Sequence, residues 1–325
     1  MKAIRIQSPD PDYRLIPGEE PRPTPEPGQV LIHVAAAGLN NADLLQARGK
    51  YPPPAGASPI LGMEVSGTIA EVGSGVNEWK TGDKVCALLP GGGYAEFALA
   101  DAGSVLPVPD TIDLIEAAGL PEAAFTAWTN IMDAGRLQPG ESLLIHGATS
   151  GIASLALQIF AARGHRIFAT AGSDAKCEAA RRFGAARAIN YHSEDFVTVV
   201  KKETGAKGVD MILDMVGGEY IQRNIEAAAV WGRIVNIAYQ SGARTEVNFT
   251  PVLTKRLTLG ATTLRGRTPA QKRALRDALL REVWPGLGTR VRPVIDRVFP
   301  LDQAQAAHEF MAKTGHIGKI LLSMP

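Results

Sequence analysis

Apolar and polar positions follow two different patterns along this chain, and the change between them falls near residue 121. Before that point, short alternating apolar runs at residues 30–34, 64–72 and 94–99 are separated by segments rich in proline and glycine. Alternation with a period of two, combined with frequent turn residues, indicates irregular β structure. The first part of the chain is therefore predicted to be a β domain.

Between residues 122 and 264, short apolar segments alternate with stretches long enough for helices. We expect strands at residues 142–146, 166–170, 187–190, 209–214, 233–238 and 257–262. Strands that alternate with helices form parallel sheets through βαβ crossovers, and six of them make a complete doubly wound dinucleotide domain. The predicted fold class is α/β.

The C-terminal tail follows neither pattern. A charged helical stretch runs from residue 268 to residue 283, and an apolar strand, a helix near residues 301–313 and a closing strand at residues 319–322 follow it. We expect this tail to return to the N-terminal β domain and complete it. The predicted division is a catalytic domain of residues 1–121 plus 265–325, and a nucleotide-binding domain of residues 122–264.

Composition and charge narrow the choice of partners. The 325 residues are 45% apolar, and 34 Lys and Arg balance 33 Asp and Glu to leave a net charge of +1. Without a basic run to follow a phosphate backbone, nucleic acid is not an expected partner. No apolar segment is long enough to span a bilayer or resembles a signal peptide. Cys86 and Cys177 lie far apart and are expected to be free thiols, so a cytoplasmic location is predicted.

A strand, a turn of small residues and an apolar helix follow one another at residues 142–153. Small side chains let a backbone approach a pyrophosphate closely, and the amide groups and dipole of the helix offset its charge. The segment departs from G-x-G-x-x-G because Ser150 and Ala153 stand where glycine is commoner. Taken alone, it also fits a tight turn without a ligand, and the surrounding βαβ pattern favours a dinucleotide.

The end of the second predicted strand bears on the choice between NADH and NADPH. An NAD enzyme usually places an acidic residue there, against the ribose 2′-hydroxyl, and this strand end carries none. Ser173 offers a hydroxyl and Lys176 a positive charge, which suit a 2′-phosphate. NADPH is therefore favoured, and Asp174 is expected to point to solvent or to cap the next helix. An ordinary surface role is the alternative for Lys176.

Several ordered motifs span the chain. They are AAAGLNNADL at residues 35–44, QARGKYPPP at 46–54, ILGMEVSG at 60–67, GDKV at 82–85, LPGGGYA at 89–95, ILDMVGG at 212–218 and IGKI at 317–320. With this series the chain resembles, over essentially its whole length, the zinc-independent quinone oxidoreductases of the medium-chain dehydrogenase/reductase superfamily. The resemblance is greatest to the zeta-crystallin-like members and the p53-inducible quinone oxidoreductase branch.

The resemblance implies a Rossmann doubly wound parallel sheet inserted in a GroES-like β domain, with the active site in the cleft between them. It also implies that no metal is bound. Zinc-dependent relatives have a cysteine where Asn40 stands and a histidine where Met63 precedes Glu64, and residues 117–128 offer no cysteine as a third ligand. Without a Lewis acid, the favoured substrate is one that accepts hydride readily, such as a quinone or an activated double bond.

By the same resemblance, Asn40 and Tyr51 are the candidate catalytic residues, expected to contact the acceptor oxygen, and Tyr51 could also donate a proton. The alternative role of Asn40 is that of a turn residue, and the alternative role of Tyr51 is that of a packing residue on the proline-rich loop. The implied cofactor contacts are Thr126, Ser150, Gly151 and Ile152 at the pyrophosphate, Ser173, Lys176 and Tyr191 at the 2′-phosphate, Val216 and Gly217 at the nicotinamide ribose, Ala238, Tyr239, Gln240 and Leu264 near the ring, and Lys319 from the tail. The six histidines are expected to be structural or solvated.

Three functions stay open on this basis. The favoured one is an NADPH-dependent quinone oxidoreductase that passes hydride, or electrons, to a small-molecule quinone. The others are an NADPH-dependent enal or enone double-bond reductase of the same fold and a slow-turnover NADPH-binding sensor. The resemblance further implies a homodimer, formed through the edge strand predicted at residues 257–262.

Overall fold

The computed structural model describes residues 1–10 and 12–325 and divides the chain into two compact units. One comprises Met1–Phe125 and Arg265–Pro325, and we call it the split unit. The other comprises Thr126–Leu264, and we call it the inserted unit. The first boundary lies after residue 125, whereas the sequence pattern placed it after residue 121.

The strands are β1 (Lys2–Ile6), β2 (Leu15–Glu19), β3 (Gln29–Gly38), β4 (Glu64–Val72), β5 (Lys84–Leu88), β6 (Phe97–Asp101), β7 (Val105–Pro107), β8 (Ser142–Ile145), β9 (Arg166–Ala171), β10 (Arg187–Asn190), β11 (Val209–Asp214), β12 (Ala228–Asn236), β13 (Thr258–Ala261), β14 (Ile295–Pro300) and β15 (Lys319–Ser323). The helices are α1 (Asn41–Ala47), α2 (Pro121–Trp128), α3 (Gly151–Ala162), α4 (Asp174–Arg182), α5 (Phe196–Glu203), α6 (Tyr220–Ala227), α7 (Thr250–Lys255), α8 (Pro269–Glu282) and α9 (Ala304–Ala312). A π-helical turn, Thr129–Ala134, continues α2. No helix in the described residues is long and apolar enough to cross a membrane.

Six parallel strands form the sheet of the inserted unit, in the order β10-β9-β8-β11-β12-β13. Counted from β8 as the first strand, this is the order 3-2-1-4-5-6 of a doubly wound dinucleotide-binding sheet. Helices α3, α4, α5 and α6 each follow a strand and provide the crossovers that parallel pairing requires. The predicted Rossmann fold is confirmed.

The fifth strand of this sheet is longer than the sequence pattern predicted. β12 begins at Ala228, whereas the prediction began at residue 233. Trp231 has a left-handed backbone conformation with φ of 64°, and the pairing with β11 shifts register between Val209 and Met211. An irregular stretch of this kind breaks the alternation of apolar and polar positions, which is why the pattern missed the start of the strand.

A seven-stranded sheet forms the centre of the split unit. Its order is β14-β15-β3-β4-β5-β7, and β6 pairs with β3. β15, from the tail, runs antiparallel to β3 and places Leu321 opposite Gly38 and Ser323 opposite Ala36. Apolar side chains from both parts of the chain share one core, in which Val30 and Ile32 belong to the same cluster as Leu322. The tail therefore completes the N-terminal β domain, as predicted.

Candidate functional site

Asn40 lies in a buried polar cluster of the split unit, at the start of α1. Its Nδ2 donates to Oε1 of Glu64 at 2.9 Å, and its Oδ1 accepts from Nζ of Lys319 at 2.8 Å. Lys319 also forms an ion pair with Glu64 and donates to the carbonyl of Leu39 at 3.0 Å. The second carboxylate oxygen of Glu64 accepts from the backbone N–H of Glu122. The amide of Asn40 is therefore held in one orientation by a buried carboxylate and a buried ammonium.

Lys319 was predicted to contact the cofactor from the tail. Its side chain is 5% exposed, and its ammonium group already has Glu64, Asn40 and the Leu39 carbonyl as partners. An ammonium has three N–H donors, so a bond to a further ligand would require one of these partners to be exchanged. The cofactor contact of Lys319 stays a prediction, and its observed role is to neutralise Glu64.

Tyr51 follows α1 on the proline-rich loop and is half-buried. The guanidinium carbon of Arg265 lies 5.3 Å from the centre of its ring, which is a cation–π contact. Arg265 is fixed in turn by hydrogen bonds to the Pro90 carbonyl and to Oε1 of Gln46. Burial raises the pKa of Tyr51 above its ordinary value, and the nearby charge of Arg265 opposes this rise. The hydroxyl is therefore protonated at neutral pH, as a proton donor must be.

A chain of buried hydrogen bonds, which the sequence pattern did not reveal, ends at the first turn of α1. Nδ1 of His308 lies 3.0 Å from the Tyr13 hydroxyl, and its Nε2 lies 3.1 Å from the Tyr94 hydroxyl. Tyr94 donates to Oδ2 of Asp43 at 3.3 Å, and the same oxygen accepts from the backbone N–H of Asn40 at 2.8 Å. His308 is thus structural, in agreement with the prediction for the histidines. Asp43 and Tyr94 lie inside quoted motifs, but only the fold connects them to His308.

In the inserted unit, the glycine turn between β8 and α3 leads directly into the N-terminus of a helix. Gly147 adopts φ of 66°, a conformation that favours glycine. Ser150 caps α3, and its Oγ accepts from the backbone N–H of Ala153 at 3.2 Å. Gly151 and Ile152 begin the helix, where backbone N–H groups have no intrahelical acceptor and the dipole is positive. The predicted residues Ser150, Gly151 and Ile152 therefore surround one helix N-terminus.

The residues predicted to hold a 2′-phosphate also lie close together. Ser173 caps α4 by accepting from the backbone N–H of Lys176 at 3.2 Å, which places both residues in the first turn. The hydroxyl of Tyr191 lies over Gly172, the residue before Ser173. Asp174 is exposed, as expected, and accepts from Nδ2 of Asn190 at 2.8 Å. The capping role falls to Ser173, so Asp174 is left at the solvent side of the cluster.

Two loops meet where the nicotinamide ribose contacts were predicted. The backbone N–H of Gln240 donates to the Met215 carbonyl at 3.2 Å, and the N–H of Ser241 donates to the Val216 carbonyl at 2.8 Å. A Cβ on Gly217 would lie 2.7 Å from Cδ1 of Tyr239, so only glycine fits there. The structure therefore brings Val216, Gly217, Tyr239 and Gln240 together, with Ala238 next to them in the chain.

A buried network connects these separate loops. Asp214 accepts from the backbone N–H of Val216 at 2.7 Å and from Nδ2 of Asn224 at 3.1 Å. Oδ1 of Asn224 lies 2.7 Å from Nε2 of His146, and Nδ1 of His146 lies 2.9 Å from the Thr170 hydroxyl. His146 directly precedes the glycine turn, and Thr170 is near the end of β9. This series of hydrogen bonds thus positions three loops that carry predicted cofactor contacts, namely the glycine turn after β8, the loop after β9 and the loop after β11.

The two ends of the inserted unit carry the remaining predicted contacts, Thr126 and Leu264, and both side chains are buried. Nδ2 of Asn130 donates to the Thr126 carbonyl at 2.8 Å, and the Thr262 hydroxyl donates to Oδ1 of Asn130 at 2.6 Å. Asn130 therefore joins the segment that begins the unit to the segment that ends it. This residue was not singled out from the sequence, because nothing in its local pattern signals a long-range contact.

Comparison with known proteins agrees with this arrangement. Residues 26–110 match the family model of the alcohol dehydrogenase GroES-like domain, and residues 151–280 match that of zinc-binding dehydrogenases. The quinone oxidoreductase of Rattus norvegicus is 30% identical over 325 residues, which cover 99% of this chain and 97% of the relative. Together with the fold, these matches define a medium-chain dehydrogenase/reductase.

Other relatives widen the comparison. A segment of a phenolphthiocerol/phthiocerol polyketide synthase of Mycobacterium tuberculosis is 36% identical over 328 residues, which are 99% of this chain and only 15% of that much longer protein. The structure of Escherichia coli quinone oxidoreductase complexed with NADPH superimposes with a TM-score of 0.86 at 27% identity, covering 99% of both chains. The CurK enoyl reductase structure gives a TM-score of 0.86 at 30% identity, covering 100% of this chain and 99% of the other.

The chain belongs to the quinone oxidoreductase group of the medium-chain dehydrogenase/reductase superfamily. It is an oxidoreductase of that family, and the family uses a nicotinamide cofactor.

Proposed function

We propose that this oxidoreductase transfers hydride from NADPH to a quinone without the help of zinc. The observation that carries the proposal is the contact of Lys319 with both Glu64 and Asn40. In zinc-dependent relatives a metal ligand stands where Asn40 stands, and the residue before Glu64 is another. Here an ammonium group supplies the positive charge that offsets the buried Glu64, so this carboxylate needs no metal ion to compensate it.

The residues of the inserted unit fit a phosphorylated dinucleotide. Gly147 and Gly217 occupy positions that a side chain would strain or fill, and Ser150 caps the helix that follows the glycine turn. Ser173, Lys176 and Tyr191 offer two hydroxyls and one positive charge within one small cluster, and phosphate is the group that such donors suit. These residues support NADPH over NADH.

When bound, the reduced nicotinamide supplies the hydride. Reduction of a quinone also requires a proton, and the Tyr51 hydroxyl keeps its proton at neutral pH, since the ordinary pKa of tyrosine is about 10 and burial raises it further. Arg265 lies against the ring of Tyr51 and limits its movement. Asn40 has both ends of its amide in hydrogen bonds, so its contribution is to hold Lys319 and Glu64 in register with α1.

The proposal is tested by steady-state oxidation of NADPH with 1,4-benzoquinone, 9,10-phenanthrenequinone and trans-2-hexenal in parallel. Each reaction is repeated with NADH and with EDTA. Turnover of a quinone that prefers NADPH and ignores EDTA would support the proposal. Loss of activity in EDTA, restored by zinc, would contradict it.

A second candidate function is reduction of a double bond next to a carbonyl. It is favoured by the identity to a segment of a polyketide synthase, which at 36% exceeds the 30% identity to the rat quinone oxidoreductase, and by the likeness to CurK enoyl reductase. Turnover of trans-2-hexenal without turnover of either quinone would favour this candidate. Tight NADPH binding with no turnover of any acceptor would favour a sensor.

We also propose that the protein is a homodimer joined through β13. This strand lies at the edge of the six-stranded sheet, and all four of its residues are exposed. Large apolar side chains are exposed on the same unit, with Trp231 at 65%, Phe249 at 62% and Leu253 at 78%. An unpaired strand edge beside exposed apolar side chains is stabilised when a second copy covers it.

A reducing, cytoplasmic location is part of the proposal. Cys86 and Cys177 are both buried and unpaired. Burial raises the pKa of each thiol above its ordinary value, which keeps the thiols protonated and unreactive. Localisation of a tagged full-length chain by microscopy would test this.

A further inference from the structure

A groove in the split unit is lined by two buried cations, Lys272, which the proposed chemistry does not use, and Arg265, whose only part in it is to contact the Tyr51 ring. The groove has a volume of about 620 Å³, and Arg265, Arg267 and Lys272 are among the residues that line it. Arg265 is 8% exposed and Lys272 is 9% exposed. All the residues that line this groove belong to the split unit.

Neither buried cation forms one of the salt bridges found among the described residues, although Glu122 acts electrostatically on both. Lys272 donates to the backbone carbonyl of Arg265 at 3.1 Å, which places its charge close to the next cation instead of an acid. Two cations held out of water with no salt bridge of their own are costly.

Arg265 also has unused donors. Its Nε and Nη2 bond to the Pro90 carbonyl and to Oε1 of Gln46, whereas its buried Nη1 has no hydrogen-bond partner. A guanidinium group binds carboxylates and phosphates through paired N–H donors. The unpartnered Nη1 of Arg265 is therefore a donor that an oxyanion could use.

The acidic groups nearby only partly offset these charges. Burial lowers the pKa of Arg265, and Asp43, Tyr51 and Glu122 act against this effect. Burial likewise lowers the pKa of Lys272, and Glu122 and Asp101 act against it. Two carboxylates line the groove: Glu20 is paired with Arg5, and Oδ1 of Asp101 accepts from the backbone N–H of Gly103 at 2.8 Å and caps a turn.

The remaining walls of the groove indicate that the part of the ligand away from its charged group is apolar. They include apolar side chains from separate parts of the chain, namely Pro54, Ile60, Leu88, Phe97 and Leu99. The volume lies in the range of small-molecule sites, which combine apolar walls with a few fixed polar groups. A free inorganic ion would leave most of this surface uncovered.

We propose that this groove binds an organic oxyanion, a ligand with an apolar body and a carboxylate or phosphate held by Arg265, Arg267 and Lys272. Arg265 also contacts the ring of Tyr51, which is not itself one of the residues that line the groove. Binding of this ligand does not rest on the proposed function, and because a quinone carries no such charge, the ligand is not the proposed acceptor.

The test uses two matched pairs of ligands, hexanoate with hexanamide and 4′-phosphopantetheine with pantetheine. Binding of each is measured by isothermal titration calorimetry on the full chain with saturating NADP⁺, so that phosphate sites in the inserted unit are filled. We expect at least one anion to bind about tenfold more tightly than its neutral partner. The pair that discriminates identifies a carboxylate or a phosphate as the ligand group. Equal binding within both pairs would overturn the proposal.

Variants assign the preference to the groove. Arg267→Gln and Lys272→Met are expected to abolish most of the preference for the anion, whereas Arg281→Gln, on the same helix as Lys272 but outside the groove, is expected to keep it. Arg267 is half-buried and Arg265 carries the structural bonds, so Arg267→Gln tests the site without risk to the fold. A preference unchanged in both groove variants would place the anion elsewhere and overturn the proposal.

These experiments separate the groove from the proposed function. Preference for an anion, together with no turnover of any acceptor, would support the groove and contradict the reductase. Rapid quinone turnover with equal binding of charged and neutral ligands would support the reductase and contradict the groove.

Discussion

The hydroxyl of Tyr191 lies so close to Gly172 that a Cβ on Gly172 would come within 2.4 Å of its oxygen. Tyr191 follows β10 and Gly172 follows β9, and the N–H of Tyr191 donates to the Ala171 carbonyl at 3.1 Å. Two neighbouring strand ends thus bring a hydroxyl next to Ser173 and the first turn of α4. A glycine at 172 is what allows this approach.

Gly172→Ala is therefore expected to displace the Tyr191 hydroxyl and raise the Kd for NADPH by about tenfold, which corresponds to one lost hydrogen bond to a charged group. In a Tyr191→Ala background the same substitution has no hydroxyl to displace, and its effect on Kd is expected to be small. The four proteins form a double-mutant cycle, measured by fluorescence titration of NADPH. Equal effects of Gly172→Ala in both backgrounds would show that the contact is unrelated to the cofactor.

Lys176→Ala is expected to weaken NADPH binding by about tenfold or more and NADH binding by much less, because only NADPH carries the phosphate that the ammonium would contact. Lys202→Ala, at the exposed end of α5, removes one charge away from this cluster and serves as the matched control. KM for both cofactors would be measured for each variant. Equal weakening of both cofactors would remove Lys176 from the 2′-phosphate site.

Much of the inserted unit was predictable because its signals are local. Parallel strands buried on both faces are continuous apolar runs, and the strands at 187–190 and 209–214 begin and end at the predicted residues. Helix caps are local as well, but the sequence suggested Asp174 as a possible cap of α4, whereas Ser173 caps it. β12 was the exception, since the left-handed Trp231 interrupts its pattern.

Tyr51→Phe keeps the ring against Arg265 and removes only the hydroxyl. If this hydroxyl donates the proton, kcat with a quinone is expected to fall about a hundredfold, within the usual range for general acid catalysis, while KM for NADPH stays the same. Tyr13→Phe, which removes the hydroxyl bonded to His308, is the matched control and is expected to lower stability with little effect on kcat. An unchanged kcat in Tyr51→Phe would leave the residue only a packing role.

A charged residue on the edge strand is expected to separate a dimer formed through β13. Leu259 is 41% exposed on this strand, and Leu259→Glu places a charge where a second copy would pair. Ile16→Glu, at an apolar side chain with the same 41% exposure on β2 of the split unit, is the matched control. Sedimentation equilibrium at micromolar concentration is expected to show a dimer for the wild type and for Ile16→Glu, and a monomer for Leu259→Glu. A monomeric wild type would contradict the proposed dimer.

The polar clusters of the split unit could not be predicted from the sequence in the same way. Glu64 and Lys319 stand in two separate motifs, and their ion pair exists only because β15 returns to pair beside β3. His308 and Asp43 are likewise joined through Tyr94 by long-range packing. A side chain's partner across a sheet depends on topology, and no local spacing encodes it. The ligand contacts that the resemblance implies for Asn40 and Lys319 stay predictions, and their hydrogen bond to each other is a feature that only the fold reveals.

The link from Asp43 through Tyr94 to His308 predicts a compensated pH dependence. Burial raises the pKa of Asp43 to about 6, and it lowers the pKa of His308 to about 3. From about pH 4 to about pH 6 the folded Asp43 keeps a proton that the unfolded chain has lost, so its contribution makes the free energy of unfolding fall as pH rises. In the same window His308 is protonated in the unfolded chain and neutral in the folded protein. The contribution of His308 therefore makes the free energy of unfolding fall as pH decreases.

The two contributions have opposite signs and a similar limit of about 1.4 kcal/mol per pH unit, so they cancel in the wild type. Relative to wild type, His308→Gln is expected to lose stability as pH rises from about 4 to about 6, because only the Asp43 contribution is left. Asp43→Asn is expected to lose stability relative to wild type as pH falls through the same window, because only the His308 contribution is left. The double variant is expected to follow the wild type with a constant offset. Urea unfolding at several pH values measures these differences. If the plots of free energy of unfolding against pH for both single variants run parallel to that of the wild type, neither group has a different pKa in the folded and unfolded states.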